Sequence, residues 1–209
     1  MVRWHSIGHW QLKIGYWTLS LREEMQPTEI TAIIKDKFGD KVVARAAYPE
    51  IKPVPAPARP KPLVRSAQIF REEIEVKPEI AREVIAFCKT DARLSMDLLH
   101  CISGIDYKAG EPLGVTWTLT SIKHKHWVCI NTRVPRDKPN IPSVIDLYPA
   151  ADWHERETYD LVGIIFEGHP NLKRILCADD WEGHPLRKDY VFPQFYHGIP
   201  TGKEVRWNS

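Results

Sequence analysis

The segment from Asp152 to Tyr190 constrains the fold more than any other stretch, because charged and large apolar residues alternate along its whole length. It contains nine acids, five lysines or arginines and three histidines, interleaved with tryptophan, tyrosine, phenylalanine and leucine. A hydrophobic core does not need so many charges, and a solvated surface does not need so many aromatic side chains. The segment is therefore expected to belong to a polar network, an active site or a surface that meets another protein.

The bulk composition is that of a soluble globular protein. Of the 209 residues, 43% are hydrophobic and 27% are charged, and this length can hold either one domain with a sizeable core or one domain with tails. The net charge of +2 gives no electrostatic argument for nucleic-acid binding. No apolar run approaches the roughly 18 residues that a membrane span needs, so membrane contact is expected only through partner proteins.

The four cysteines do not have the spacing of a metal site. Cys88, Cys101, Cys129 and Cys177 are separated by 13, 28 and 48 positions, and no C-x-x-C occurs. Zinc and iron–sulfur sites usually take at least two ligands that are close in sequence. Reduced thiols in a cytosolic compartment are the favoured interpretation.

Proline content divides the chain. Six prolines fall within residues 49–62, which excludes a helix or a central strand there and favours a linker or a surface insertion. Met25 is a candidate alternative start, so the status of the preceding residues is doubtful. The predicted regions are an extension (1–24), the start of an α+β domain (25–48), a proline-rich linker or insertion (49–65), the remainder of the domain (66–140), a charged segment (141–190) and an extended C-terminal arm (191–209).

The order of predicted elements favours an α+β fold: a two-layer sandwich of helices on a mixed or antiparallel sheet, followed by a charged helix-turn segment. The pattern predicts a helix over residues 28–38 with Thr28 as its N-cap, and a second helix that opens at Pro78. It predicts an exposed basic turn for the K-H-K-H sequence at 123–126. The predicted strands cover residues 42–44, 67–76, 94–105, 115–121 and 127–133.

A third helix is predicted at the start of the charged segment. Asp152 and Glu155 have the spacing of a capping box, and Gly163 fits a left-handed C-terminal cap after a helix over 153–162. Glu157 and Asp160 would then be neighbours of like charge, which costs free energy unless cations lie nearby. The candidate cations further along the chain are Arg174, Arg187 and Lys188.

Catalytic alternatives are weaker. Glu157 and Asp160 have the chemistry of an acid–base pair, and His154, His169 and His184 have that of metal ligands, but the H-E-x-x-H pattern is not formed. His169 and His184 each precede a proline, which suits a turn in which the ring caps backbone groups. An interface or a folding network is therefore favoured over an active site.

The motif W-x-E-R-E-x-Y-D-L-x-G-I-x-F-x-x-H-P-x-L-x-R-I-L, followed by D-D-W-E-G-H-P-L-R-K-D-Y, resembles the signature of one protein family. This is the 30 kDa subunit family, also called the C-subunit family, of proton-translocating NADH:quinone oxidoreductase, which is respiratory complex I. The resemblance runs from about Ile141 to Tyr190. It does not extend to residues 1–24 or to the proline-rich stretch.

The resemblance implies a non-catalytic subunit of the hydrophilic arm, held on the cytoplasmic side of the bacterial inner membrane. The chain itself would bind no cofactor, although the complex uses FMN, iron–sulfur clusters, NADH and quinone. Its partners would be other complex I subunits, above all those that bear clusters and shape the quinone cavity. The alternatives are the equivalent subunit of a ferredoxin-, F420- or hydrogenase-linked complex and, less favoured, a stand-alone metal-dependent hydrolase.

No catalytic, cofactor-binding or metal-binding residue is expected in this chain. Instead, paired charges, aromatic and other anchors, and turn residues are expected to form a structural network that extends to an interface. These residues are Trp153, Glu155, Arg156, Glu157, Tyr159, Asp160, Gly163, Phe166, His169, Pro170, Arg174, Trp181, Pro185, Arg187, Lys188 and Asp189.

Overall fold

The computed structural model describes residues 11–14, 17–20, 25, 27–46 and 72–201. The predicted linker at 49–65 lies outside the described residues, as does most of the predicted N-terminal extension. Within that extension, strands β1 (Gln11–Ile14) and β2 (Trp17–Ser20) pair in antiparallel orientation.

A five-stranded mixed sheet forms the centre of the domain, which confirms the predicted α+β class. The order across the sheet is β3-β4-β7-β6-β5; β4 and β7 run parallel and the other neighbours run antiparallel. The parallel pair joins segments that are more than 50 residues apart in sequence. The strands are β3 (Val42–Ala46), β4 (Glu72–Val76), β5 (Leu98–Asp106), β6 (Leu113–Ser121) and β7 (His126–Val134).

Two helices pack on the sheet through apolar side chains. Helix α1 (Pro27–Phe38) contacts β3, β4 and β7, and α2 (Pro78–Thr90) contacts β7. Pro78 occupies the first turn of α2, where its missing N–H costs nothing, as the sequence predicted. Between the layers the fully buried Trp117 of β6 is the largest core side chain. Burial of these apolar groups is the main force that holds the sandwich together.

A third helix, α3 (Ala151–Val162), packs against the edge strand β5. The two approach closely at Gly104: a Cβ there would lie 2.6 Å from Thr158 Cγ2 and 3.1 Å from Val162 Cγ2. Glycine is required because any larger residue would push α3 off the sheet. Flanking α3, the short strands β8 (Asn140–Pro142) and β9 (Ile165–Glu167) pair in parallel.

Several predicted boundaries in the first half of the chain are wrong. The first helix begins at Pro27, so Thr28 lies inside it rather than capping it. The strand predicted from Leu94 begins at Leu98, because Leu94 and Ser95 donate N–H groups to Asp91 O in a turn. The K-H-K-H turn is not wholly exposed: His126 is buried, with Nε2 2.8 Å from Leu94 O.

The C-terminal arm is described as far as Thr201, and its described part contains a hairpin rather than one fully extended strand. Strands β10 (Phe195–Tyr196) and β11 (Ile199–Pro200) pair across a turn in which His197 and Gly198 have positive φ. Within the described part of the chain, no helix is long and apolar enough to cross a membrane.

Candidate functional site

Helix α3 buries polar and charged side chains as well as apolar ones. Its buried residues are Ala151, Glu155, Arg156, Thr158, Asp160 and Val162. Each buried polar group requires a partner, because an unpaired polar atom away from water costs on the order of 1–3 kcal/mol, and a charged group costs more. The candidate site is the set of partners that surrounds this helix.

Asp160 is the most heavily bonded carboxylate of the site. Its Oδ2 accepts N–H groups from Ile175, Leu176 and Cys177 at 3.0, 2.7 and 2.8 Å. Its Oδ1 accepts Nη1 of Arg174 at 2.7 Å, and the Asp160 side chain is fully buried. One carboxylate thus fixes the backbone of the turn at 174–177 against the helix.

Asp160 is ionised in the folded protein. Burial opposes the charge and by itself raises the pKa, but the three backbone N–H groups and the Arg174 guanidinium outweigh it. Together they hold the pKa at about 2, below the ordinary value of 3.8. The chemistry of Asp160 is that of a permanently charged acceptor, not that of a proton-transfer group at neutral pH.

Three side chains from the downstream segment cap the C-terminal end of α3. Arg174 Nη1 donates to Asp160 O at 3.2 Å, His184 Nδ1 lies 3.0 Å from the same oxygen, and Arg187 Nε donates to Val162 O at 2.7 Å. The last carbonyl groups of a helix lack intrahelical partners and carry partial negative charge, so cationic donors are favoured there. Burial, followed by the neighbouring Arg187 and Arg174 charges, lowers the pKa of His184.

Gly163 makes this capping arrangement possible. It has φ of +80° and its N–H donates to Tyr159 O at 2.9 Å, as in the predicted left-handed cap. A Cβ at this position would lie 2.4 Å from His184 Cδ2 and 2.7 Å from Arg187 Nη2. The site therefore needs glycine both for its backbone angle and for the space that two side chains occupy.

The predicted capping box is wrong. Helix α3 begins at Ala151, its N-cap is Ala150 without a side-chain hydrogen bond, and Asp152 lies in its first turn. Glu155 turns inward instead and accepts the Ser143 hydroxyl at 2.6 Å and the Val144 N–H at 2.8 Å. Burial raises the pKa of Glu155, while these two donors partly oppose the shift.

His169 lies beside the start of α3, with its ring fully buried. Its Nδ1 accepts the Asn171 N–H at 3.0 Å, which is the backbone capping expected of a histidine before Pro170. Its Nε2 lies 3.1 Å from Asp152 Oδ1. The ring thereby closes the turn that follows β9.

The remaining predicted residues are placed at different depths. Phe166 is buried, whereas Trp153 is 61% exposed with Arg156 stacked 5.0 Å from its ring centroid. Glu157 is exposed, and none of the predicted cations contacts it in the described structure. Tyr159 lies edge-on to His184, and Trp181 packs on Tyr196 of the arm; Pro170 is exposed and Pro185 is partly buried.

Lys188 and Asp189 are held by two residues that the sequence pattern did not single out. The Lys188 N–H donates to Asp106 Oδ2 at 2.8 Å, and Asp189 accepts Arg136 Nη1 at 3.1 and 3.2 Å. Asp106 ends strand β5 and Arg136 follows strand β7. No periodic pattern in the sequence links these residues to positions 188 and 189. The sequence showed only that a charged residue lies at or near the end of each of two strands.

The surface around the site carries an unusual share of the exposed apolar side chains. Eight of the twelve large hydrophobic residues exposed in the described structure fall between 153 and 199. Large apolar side chains left exposed are a common feature of surfaces that bind another protein. The eight residues are Trp153, Ile165, Leu176, Leu186, Val191, Phe192, Phe195 and Ile199.

The residue types that bind metals are dispersed rather than grouped. The four cysteines are free thiols, and burial raises the pKa of Cys88 to about 12. In the part of the chain that the structure describes, no group of three or more His, Cys, Asp or Glu is arranged to hold a metal ion. The charged groups that α3 buries, Glu155, Arg156 and Asp160, are instead hydrogen-bonded to backbone groups and to other side chains.

Comparisons with known proteins identify the family. Residues 74–196 match the family model described as respiratory-chain NADH dehydrogenase, 30 Kd subunit. The C subunit of NADH-quinone oxidoreductase from Chloroherpeton thalassium is 40% identical over 168 residues, which cover 80% of this chain and 62% of that protein. Its counterpart from Chlorobium phaeobacteroides is 38% identical over 170 residues, covering 80% of this chain and 90% of that one.

A solved structure supports the fold alone. A chain of the membrane-bound sulfane sulfur reductase, an archaeal respiratory membrane complex, superposes with a TM-score of 0.58 at 23% identity over 78% of this chain and 85% of that one.

The family match spans more than half of this chain, and the Chlorobium relative is matched over most of its length. The resemblance drawn from the sequence is thus confirmed, and the chain belongs to the family of the 30 kDa subunit of respiratory-chain NADH dehydrogenase.

Proposed function

We propose that this chain is a structural subunit of an NADH:quinone oxidoreductase, the enzyme that passes electrons from NADH to quinone and couples this to proton translocation. The observation that carries the proposal is the family match over residues 74–196. The chain spans 62% of the Chloroherpeton relative and 90% of the Chlorobium one, so the activity of the whole protein is assigned by relationship.

The role proposed for the chain itself is to hold geometry rather than to react. Asp160, Glu155 and Arg174 have the residue types of catalytic groups, but Asp160 and Arg174 bond each other and backbone groups, and Glu155 accepts the Ser143 hydroxyl and the Val144 N–H. A charged group that is buried and fully bonded rigidifies a segment. The rigid segment in turn presents its exposed apolar side chains in one arrangement.

The partners proposed are the neighbouring subunits of the hydrophilic arm that bear iron–sulfur clusters and shape the quinone cavity. The eight exposed apolar residues between 153 and 199 supply the surface that these subunits would cover. In this proposal the chain lies on the cytoplasmic side of the bacterial inner membrane and reaches the membrane only through the complex. FMN, the clusters, NADH and quinone would be bound by the other subunits.

Affinity purification of the chain in mild detergent tests the proposal. A tagged chain expressed in its own host should co-purify with a membrane-attached assembly that oxidises NADH with a quinone acceptor. Partner identification by mass spectrometry also separates the alternatives, because a ferredoxin-, F420- or hydrogenase-linked complex would bring different electron-input subunits. Recovery of the chain alone, with stoichiometric metal and hydrolase activity, would refute the proposal.

A further inference from the structure

Four separate segments of the chain meet at the Arg136 guanidinium. Arg136 Nε donates to Glu111 O at 3.1 Å, and Nη2 donates to Lys108 O at 2.9 Å and to Asp106 Oδ1. Its Nη1 donates to both carboxylate oxygens of Asp189. One side chain, 17% exposed, thereby joins the end of β5, the β5–β6 loop, the segment after β7 and the last residues of the charged segment, just before the C-terminal arm.

Asp106 depends on this arginine. Its side chain is fully buried. Burial by itself raises the pKa of Asp106, but Arg136 and the Lys188 N–H reverse this and lower it. Without the guanidinium, a buried charge would lose its cationic partner, which is strongly unfavourable. The carboxylate can hold the Lys188 backbone only while Arg136 neutralises it.

The bonds at Lys188 and Asp189 tie the chain just before the arm to the sheet, whereas the other bonds run from the arm to the charged segment or within that segment. Tyr196 Oη donates to Asp180 Oδ1 and His197 Nε2 lies against Asp180 Oδ2, both at 2.8 Å. Tyr190 Oη donates to Glu182 O at 3.1 Å. These contacts shape the hairpin but do not relate it to β5, β6 or β7.

We propose that Arg136 is a positioning residue that sets the direction in which the C-terminal arm leaves the domain. The arm surface that it orients is formed by Val191, Phe192, Phe195 and Ile199, which are 59–85% exposed. The part of this inference that concerns assembly rests on the proposed function, since the neighbouring subunit is what the oriented surface would meet. The part that concerns the arm itself stands on the geometry of this chain.

The geometry requires an arginine. A guanidinium has five N–H donors in a planar fork, and five hydrogen bonds converge on this one. A lysine at the same place offers three donors from one nitrogen and cannot reach two carboxylates and two carbonyl groups in different directions. Arg136→Lys should therefore restore charge without restoring the full set of bonds.

Hydrogen–deuterium exchange on the full-length chain tests the arm, and salt-resistant co-purification tests its consequence. In Arg136→Gln, the amides of Lys188 and Tyr190, which are hydrogen-bonded to Asp106 Oδ2 and to Arg187 O, should exchange about tenfold faster or more, which is the loss expected for hydrogen bonds to a charged group. Exchange in β6, in β7 and in the part of β5 away from Asp106 should rise less than in these amides. Arg136→Lys should fall between the wild type and Arg136→Gln, and the complex should release the chain at lower salt in the same order.

Arg82→Gln is the matched control. Arg82 also forms a two-bond pair with a distant carboxylate, Asp146, but this pair does not contact the arm. It should leave arm exchange and co-purification at wild-type values. If Arg136→Gln fails to fold, Asp189→Asn provides the second variant, because it removes the carboxylate next to the arm and leaves the ion pair of Arg136 with Asp106 in place.

Three results would overturn the inference: unchanged exchange at Lys188 and Tyr190 in Arg136→Gln and Asp189→Asn, an equal rise of exchange throughout the sheet, or an equal effect of Arg82→Gln. Failure of the proposed function has a different signature. In that case the wild-type chain would not co-purify with other subunits, while its exchange pattern would still decide the role of Arg136.

Discussion

Helices α2 and α3 have nearly the same length, 13 and 12 residues, but they bury faces of opposite chemistry. Helix α2 buries Ile80, Ala81, Val84, Ile85 and Cys88, whereas four of the six residues that α3 buries are polar or charged. Apolar burial has no direction, so α2 tolerates small changes of shape. Helix α3 depends on hydrogen bonds with fixed partners, so the loss of one atom is expected to matter there.

The largest effect is expected at Asp160. In Asp160→Asn, the amide NH₂ replaces one of the two carboxylate oxygens. It therefore faces either the three backbone N–H groups or the Arg174 guanidinium, and these buried donors lose their acceptor. We expect a loss of about 3–5 kcal/mol in the free energy of unfolding, measured by urea denaturation of the full-length chain at neutral pH. Exposed Glu157 on the same helix is the control, and Glu157→Gln should stay within about 0.5 kcal/mol.

The pH dependence sharpens the same test. The Asp160 pKa is about 2 in the folded chain against an ordinary value of 3.8. The stability that its charge contributes is therefore complete above 3.8 and is lost as the pH falls from 3.8 toward 2. Asp160→Asn should lack this part of the acid-induced loss. A variant with wild-type stability and a wild-type acid profile would show that α3 is held by apolar burial, as α2 is.

The next largest effect is expected at Gly163, with Gly39 as its control. Both have positive φ, +80° and +60°, but a Cβ at Gly39 would meet nothing within 4 Å, whereas one at Gly163 would collide with His184 and Arg187. Gly163→Ala should cost about 2–4 kcal/mol, because backbone strain adds to the loss of two capping side chains. Gly39→Ala should cost only about 1 kcal/mol. Equal losses in urea denaturation would mean that the caps of α3 contribute little.

A smaller effect is expected in α2. Ile85→Val removes one methylene group from a fully buried position and should cost about 0.5–1.5 kcal/mol in the free energy of unfolding. Because no titrating group changes, the loss should be the same at acid and neutral pH. A loss as large as that of Asp160→Asn would erase the distinction between the two helices.

The smallest effect is expected from His184→Asn. The asparagine amide can donate from the position of Nδ1, so at neutral pH the loss should be below about 1 kcal/mol. Burial lowers the folded pKa of His184 below its ordinary value of 6.5. Below 6.5 the unfolded chain binds a proton that the folded chain resists, so wild-type stability falls as the pH drops. Urea midpoints at about pH 7.5 and about pH 5.5 should differ less in the variant than in the wild type.

The apolar part of the fold could be predicted because the spacing of apolar residues along the sequence has the period of a helix or of a strand. The start of α2 at Pro78, its buried stripe and the antiparallel pairing of β6 with β7 all follow from spacing. The predicted boundaries of helices and strands were wrong where local hydrogen bonds determine them. The turn at Asp91 delays β5, and Glu155 faces the loop at 143–144 instead of capping the helix.

The polar network could be predicted only in part. Arg174 does contact Asp160, one of the expected pairings, but Arg187 donates to carbonyl groups and Lys188 uses its backbone N–H. Three of the bonds to Asp160 come from backbone amides, which are identical in every residue except proline and leave no trace in the sequence. That the network extends to an interface stays a prediction.

The pairing of β3 with β4 has a practical consequence. The chain leaves the sheet at Ala46 and rejoins it directly opposite, at Glu72, after 25 residues. The entropy of closing a loop grows only with the logarithm of its length, by about 0.6 kcal/mol per doubling. Adding residues between Ala46 and Glu72 should therefore change the free energy of folding very little. An affinity tag or a spectroscopic label inserted there should leave the arm and the α3 network unchanged. This position is therefore suited to a tag for isolating the assembled complex.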